Sequence, residues 1–190
     1  RVNRGHGWAE YEDAVKRAQA LELQVCTHLI LGLPGEAAAD SLESFERVRA
    51  LGAASRATQG LKLHPLHIVK GTQLARDWKQ GRYEGLAFED YVATAVAIIE
   101  RSPPELVHHR LTGTADPRIL LTPGWCARKW AVLNAIAAAL DTPARREQEQ
   151  TAAADVHFGV NGKAEVPQAP HRCVLPGRGT RGWKGCQNGA

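Results

Sequence analysis

The sequence has no methionine among its 190 residues, only 6% aromatic residues and no long apolar run. No stretch approaches the roughly 20 apolar residues that a membrane-spanning helix requires, and the opening is not typical of a signal peptide. The four cysteines are far apart and form no metal-ligand or disulfide framework, which predicts a reducing, cytoplasmic compartment: Cys26, Cys126, Cys173 and Cys186. Because the chain opens at "RVNRGHGW" without an initiator, we expect it to be part of a longer protein.

The composition is that of an ordinary globular domain with one core. Hydrophobic residues make up 44% of the chain and charged residues 23%. The formal net charge is +4 and the sequence pI is about 9.0, which favours an anionic partner. The basic residues are spread along the chain and form no long block, so charge alone does not locate a binding surface.

Hydrophobic periodicity predicts helices that alternate with strands. The predicted helices are 8–22, 39–52, 72–81, 88–102 and 125–140, and the predicted strands are 23–31, 60–71 and 105–113. Alternation of this kind is typical of parallel pairing and an α/β fold. We therefore expect one domain over 1–141, followed by a low-complexity tail, 142–190, which has too few apolar residues to fold.

Polar side chains collect where the predicted strands end, which is where ligands bind in parallel α/β proteins. "GLPGE" follows the first strand, and the other two strands end with His64 and His67 and with "HHR" at 108–110. Alternation along a strand allows only one of His108 and His109 to face a pocket. A tight turn at "GLPGE" and purely structural histidines are the alternative interpretation.

A longer string of motifs carries a resemblance to a known family. "NRGH", "CTHLILGLPGE", "LKLHPLHIVKGTQLA", "SPPELVHHRLTG" and "TPGWCARKWAVLN" occur in this order between residue 2 and residue 140. Together they resemble the YhcC-type radical SAM family, a bacterial family placed near the catalytic subunit of Elongator. The resemblance implies a partial (β/α) barrel, the second half of a (β/α)6-type barrel, preceded in the family by a CxxxCxxC loop.

The resemblance also implies a chemistry and its cofactors. Members of this family hold a [4Fe-4S] cluster through three cysteines and cleave S-adenosylmethionine reductively to a 5′-deoxyadenosyl radical. The implied partners are S-adenosylmethionine, an electron donor protein and an unknown substrate, for which RNA is one possibility. No membrane association is expected. None of the four cysteines has the CxxxCxxC spacing, so we expect this chain to contribute no cluster ligand and to be inactive alone.

The resemblance assigns roles to particular residues. The residues expected near the cofactor are Arg4, His28, Ile30, Gly32, Leu66 and His67, and those expected to face the substrate are His64, His108 and Arg110. Arg4 would pair with a carboxylate or contact the ribose, and Ile30 would pack on the adenine. His28 stands where some relatives place an acid that binds the ribose.

Two other functions remain as alternatives. The first is a metal-dependent hydrolase that would use the histidines of the strand ends, His64, His67, His108 and His109. It requires bound zinc and an acidic partner. The second is a non-catalytic RNA-binding module, supported by the net charge and by basic residues of the tail, Arg172, Arg178, Arg181 and Lys184. It requires binding that weakens steeply with salt.

Overall fold

The computed structural model describes residues 4–53 and 58–141, and it describes side chains for residues 4–52 and 60–141. In that part of the chain the elements are α1 (Trp8–Ala20), β1 (Val25–Leu31), α2 (Ala38–Ala53), β2 (Thr58–Pro65), β3 (Ile68–Val69), α3 (Gln73–Lys79), α4 (Phe88–Arg101), β4 (Val107–Arg110), β5 (Leu120–Thr122), a 3-10 turn (Gly124–Ala127) and α5 (Lys129–Leu140). The predicted tail, which includes Arg172, Arg178, Arg181 and Lys184, lies outside the described residues.

The principal sheet has three parallel strands in the order β1-β2-β4. Thr27 pairs with Leu61 and Leu29 with Leu63, so side chains at these positions share one face. The predicted α/β class with parallel strands is therefore confirmed. Within the described residues the sheet is open and does not close into a barrel.

One face of this sheet is covered by helices and forms the core. Leu31, Leu61 and Leu63 pack there against side chains of α2, α4 and α5, including Phe45 and Tyr91. Each of these five side chains is at most 2% exposed, and burial of one such side chain stabilises the fold by roughly 1.5–3 kcal/mol. The core thus fixes the side of the sheet on which the helices lie.

The opposite face of the sheet, which we call the open face, carries the alternate residues of the same strands. Ile30 is 41% exposed although its neighbour Leu31 is 2% exposed. His28 pairs with Lys62 and Ile30 pairs with His64 across β1 and β2. Three basic side chains, His28, Lys62 and His64, therefore share this open face.

The predicted strand 60–71 is wrong in one respect, because it is two strands in two sheets. β2 ends at Pro65, which has no N–H to donate to a ladder. β3 then pairs antiparallel with β5, a three-residue strand that is too short to show hydrophobic periodicity in the sequence. The backbone N–H of Leu66 donates to Leu31 O at 3.0 Å, which ties the segment between β2 and β3 to the end of β1.

None of the helices in the described residues is both long and apolar enough to cross a membrane.

Candidate functional site

The site begins at the turn between β1 and α2, the segment Gly32–Glu36. Gly32 has a φ of +87°, which L side chains rarely adopt. The Leu33 N–H donates to Glu36 Oε2 at 3.1 Å, and the Glu36 N–H donates to Leu33 O at 2.9 Å. These bonds close the turn on itself and direct the chain into α2 behind the sheet.

A second segment, 82–87, holds this turn from the side. The Tyr83 hydroxyl donates to Gly32 O, and a Cβ at Gly32 would lie only 3.0 Å from the Leu86 Cβ. Leu86 is itself anchored because Trp125 Nε1 donates to its carbonyl oxygen at 3.0 Å. Gly32 is therefore required by the packing of Leu86 as well as by its own backbone angle.

A cavity of about 630 Å³ lies beside the turn, at the carboxyl end of β1. This volume is within the usual range for small-molecule sites. The lining residues that matter here are Arg4, His28, Ile30, Leu33, Glu36 and Leu66. Four of the six residues predicted near the cofactor thus share one cavity. Gly32 lies between two lining residues, Leu31 and Leu33, and His67 follows a third, Leu66.

Glu36, the last residue of "GLPGE", also lines the cavity, although no site role was predicted for it. Burial raises the pKa of its carboxyl, against the lowering effect of the hydrogen bond from the Leu33 N–H. A half-buried acid with a raised pKa can donate as well as accept a hydrogen bond. The signal that could have found it was the acid at the end of a glycine-rich turn that follows a buried strand.

His64 and His67 form a pair at the end of β2. Their ring centroids are 4.7 Å apart in an edge-to-face arrangement. His64 lies so close to Gly113 that a Cβ there would come within 2.0 Å of its Nε2. Burial and the nearby His64 lower the pKa of His67, and within the described residues its buried Nε2 has no hydrogen-bond partner. The lowered pKa favours the neutral imidazole of His67.

The structure places His108 away from the open face, contrary to its predicted substrate-facing position. Its Cα partner is the core residue Leu61, and its Nε2 lies 3.0 Å from Ser102 Oγ, just beyond α4. Burial lowers its pKa. His109 faces the other way, because a Cβ at Gly60 would lie 2.7 Å from the His109 ring and 3.1 Å from the Cys26 sulfur. Strand alternation thus selects His109 for the open face.

Three basic residues lie abreast on the open face, and we call them the basic row: His28 on β1, Lys62 on β2 and Arg110 on β4. His28 pairs with Lys62, and a register shift after Leu61 brings Arg110 opposite Lys62. Burial lowers the pKa of His28, and the charges of Lys62 and Arg110, with His64, lower it further. The three side chains are therefore close enough to share one electrostatic environment.

The described residues include no group of three or more His, Cys, Asp or Glu that could hold a metal ion. Both cysteines in this part of the chain are free, with Cys26 half-buried on the open face and Cys126 buried. The hydrolase alternative required four histidines at one site, but His108 lies on the face opposite His64. The hydrolase alternative therefore has no set of metal ligands in the part of the chain that the structure describes.

Comparison with known sequences identifies similar proteins. The family model described as "Radical_SAM C-terminal domain" matches residues 58–142. Protein YhcC of Escherichia coli (strain K12) is 45% identical over 130 residues, which cover 68% of this chain and 40% of that protein. YtqA of Bacillus subtilis (strain 168) is 35% identical over 135 residues, with coverage of 71% and 40%. This chain thus spans about 40% of the length of these relatives.

More distant similarity extends to Elongator. Elongator complex protein 3 of Mus musculus is 28% identical over 103 residues, which cover 54% of this chain and 18% of that protein. Among solved structures, the archaeal Elp3 of Methanocaldococcus infernus with an N-terminal deletion (1-46) superposes with a TM-score of 0.56 at 17% identity. The match covers 70% of this chain and 32% of that chain, and it concerns the fold alone.

Proposed function

Because the chain belongs to the radical SAM family, as a portion similar to YhcC and Elongator complex protein 3, we propose that it supplies part of an S-adenosylmethionine site. The observation that carries this proposal is the cavity at the carboxyl end of β1. It gathers Arg4, His28, Ile30 and Leu66, which the family resemblance had assigned to the cofactor. The whole protein would be a radical SAM enzyme.

The residues around the cavity have the chemistry that an adenosine requires. Ile30 and Leu66 offer apolar surface to the faces of an adenine. His28 can exchange hydrogen bonds with a ribose hydroxyl, and Arg4 can bind a carboxylate through two parallel N–H bonds. Glu36, with its raised pKa, can donate to a base nitrogen or accept from an amino group. The cavity is thus suited to bind and orient the cofactor.

A [4Fe-4S] cluster does not match the described residues, because Cys26 and Cys126 are the cysteines in this part and neither belongs to a group of potential ligands. We therefore assign no cluster ligand to this chain. A cluster held elsewhere in the whole protein would supply the electron for reductive cleavage of S-adenosylmethionine. The residues described here would bind the adenosine, exclude water from it and present the substrate beside it.

The substrate, the electron donor and the compartment are also proposals. A net charge of +4 and the basic side chains of the open face support an anionic substrate, for which RNA is the class implied by the family resemblance. An electron donor protein follows from the proposed reductive cleavage. Free rather than paired cysteines in the described residues support a reducing compartment such as the cytoplasm.

A binding experiment on the 190-residue chain tests the cofactor site. We expect S-adenosylmethionine to shift the backbone amide resonances of Ile30, Leu33 and Leu66 in a nitrogen-15 correlation spectrum. Ile30→Ala should weaken binding by roughly fivefold, because it removes apolar contact with the base. Ile119→Ala is a matched control, since Ile119 is 46% exposed and Ile30 is 41% exposed.

The proposal fails if the cofactor produces no shifts around the cavity, or if both isoleucine variants weaken binding equally. A second measurement tests the reaction itself. Protein that also carries a CxxxCxxC segment should release 5′-deoxyadenosine when reduced in the presence of S-adenosylmethionine. Absence of that product from protein with an intact cluster would contradict the enzyme assignment.

A further inference from the structure

The basic row joins His28, which is assigned to the cofactor, and Arg110, which is expected to face the substrate, with Lys62, which has no assigned role. We propose that His28, Lys62 and Arg110 together bind a phosphate group of the substrate, immediately beside the cavity at the end of β1. The position relative to the cofactor rests on the function proposed above, whereas the phosphate site itself rests only on the geometry of the three strands.

The first support is spacing. The three residues are Cα partners on adjacent strands, His28 with Lys62 and Lys62 with Arg110. Neighbouring strands lie about 4.8 Å apart, so the row is roughly 10 Å wide at the backbone. Long Lys and Arg side chains readily converge across that distance on one tetrahedral group. The sheet holds their backbones rigidly, which lowers the entropic cost of binding.

The second support is that the charges of the row are not neutralised. Within the described residues, the ion pairs use other cations, namely Lys16, Arg17, Arg49, Arg82 and Arg118. Neither Lys62 nor Arg110 forms an ion pair there. The charged and titratable groups that act on His28 are all basic: Lys62, Arg110 and His64. An anion bound beside half-buried Lys62 would therefore compete with no ion pair of Lys62 or Arg110 within the described residues.

The third support is the match between donors and ligand. Arg110 offers a planar fork that binds two oxygens of one phosphate, and Lys62 offers a compact charge with three donors. His28 adds an imidazole N–H. Inorganic phosphate and phosphate monoesters have at least three terminal oxygens, enough to accept from all three residues at once, whereas a carboxylate has only two. The arrangement therefore favours phosphate over carboxylate.

The position of the row gives the site a purpose. His28 belongs both to the basic row and to the lining of the cavity at the end of β1. A phosphate held by Lys62 and Arg110 would therefore lie next to the group bound in that cavity. The neighbouring carbons of the same substrate would then be within reach of chemistry at the cofactor, without any contact to a specific base or sugar.

Titration of the 190-residue chain with inorganic phosphate, at constant ionic strength, tests this inference. We expect saturable shifts of the amide resonances of His28, Lys62 and Arg110. The double variant Lys62→Gln with Arg110→Gln should weaken phosphate binding by at least about tenfold, since it removes two charge-assisted contacts. The control double variant, Lys70→Gln with Arg101→Gln, removes the same net charge from two exposed positions and should change the affinity less than about twofold.

Three ligands present the phosphate in different chemical settings: inorganic phosphate, glycerol phosphate and a 5′-phosphorylated uridine oligonucleotide. All three should lose affinity in the first double variant and not in the control. Equal losses in both double variants, or no saturable binding of inorganic phosphate and glycerol phosphate, would overturn the inference. Binding of the oligonucleotide with no dependence on Lys62 and Arg110 would overturn it as well.

Two further measurements keep the test decisive. Circular dichroism checks that the variants fold, and Arg110→Gln alone, at an exposed position, should weaken phosphate binding if the double variant does not fold. Titration with S-adenosylmethionine separates the two proposals. If phosphate binds through the row but the cofactor does not bind, the proposed function fails and the phosphate site stands. If the cofactor binds and phosphate does not, the phosphate site fails alone.

Discussion

The replacement of Gly32 by alanine is expected to destabilise the fold through two separable effects. The first is backbone strain, because a φ of +87° is unfavourable for any residue with a Cβ and costs roughly 1–2 kcal/mol. The second is steric, because the new Cβ would lie 3.0 Å from Leu86 Cβ and 3.2 Å from Leu86 Cδ2. Overpacking of this kind costs roughly 1–3 kcal/mol. We therefore expect Gly32→Ala to lower the free energy of unfolding by about 2–5 kcal/mol.

Gly71→Ala is the matched control for this measurement. Gly71 has a φ of +83°, but a Cβ there would meet no atom within 4 Å. It should cost only the backbone strain, roughly 1–2 kcal/mol. Urea unfolding followed by circular dichroism gives both values, and their difference measures the Leu86 contact. If the two alanine variants were equally stable, Gly32 would be needed only for its backbone angle, and the argument that the segment 82–87 holds the turn would be refuted.

Three further predictions concern polar groups around the same turn. Tyr83→Phe should lower the free energy of unfolding by roughly 0.5–1.5 kcal/mol, since it removes the bond to Gly32 O; urea unfolding that matches the wild type would contradict it. Burial raises the pKa of Glu36 above its ordinary value of 4.5, so the native state binds a proton at Glu36 more tightly than the unfolded state does. The protonated carboxyl therefore contributes stability at low pH, and this contribution is lost as the pH rises from the pKa of the unfolded state through that of the folded state. Urea unfolding at several pH values should show that dependence in wild type and not in Glu36→Gln. Burial raises the pKa of Cys126 to about 12. Iodoacetamide at pH 8 should therefore label half-buried Cys26 faster than Cys126 in the native protein, and peptide mass spectrometry can measure the two rates. Equal rates would contradict the burial of Cys126.

The sequence predicted the elements of the fold well because each has a strong local signal. The helix 39–52 has an apolar stripe, and the strand 23–31 ends at the glycine of a turn; α2 and β1 lie there with small differences at their ends. The antiparallel pair of β3 and β5 could not be predicted, since the two strands have only two and three residues. Strands of that length carry no periodicity, and their pairing depends on tertiary contacts.

The candidate site was predictable in part, for a similar reason. His28 and Ile30 lie on β1 just before "GLPGE", and Leu66 follows the neighbouring strand β2. Because the two strands are parallel and adjacent, their carboxyl ends meet, and the three residues line one cavity there. The prediction of His108 over His109 as substrate-facing came from the resemblance alone, because alternation fixes only that the two face opposite ways. Strand register settled it, because His108 pairs with the core residue Leu61 just before the bulge that skips His109 between β2 and β4.

The same bulge explains why the basic row could not be derived from spacing along the chain. Regular alternation after His108 would place His109 opposite Lys62 and direct Arg110 with His108 toward the helices. The skipped residue instead brings Arg110 into register with Lys62, so a permanent charge, and not an imidazole, stands opposite Lys62. A guanidinium facing the core would lack a partner and cost several kcal/mol, so the shift also keeps that charge exposed. One irregularity in a short strand thus both preserves the core and sets the charge of the open face.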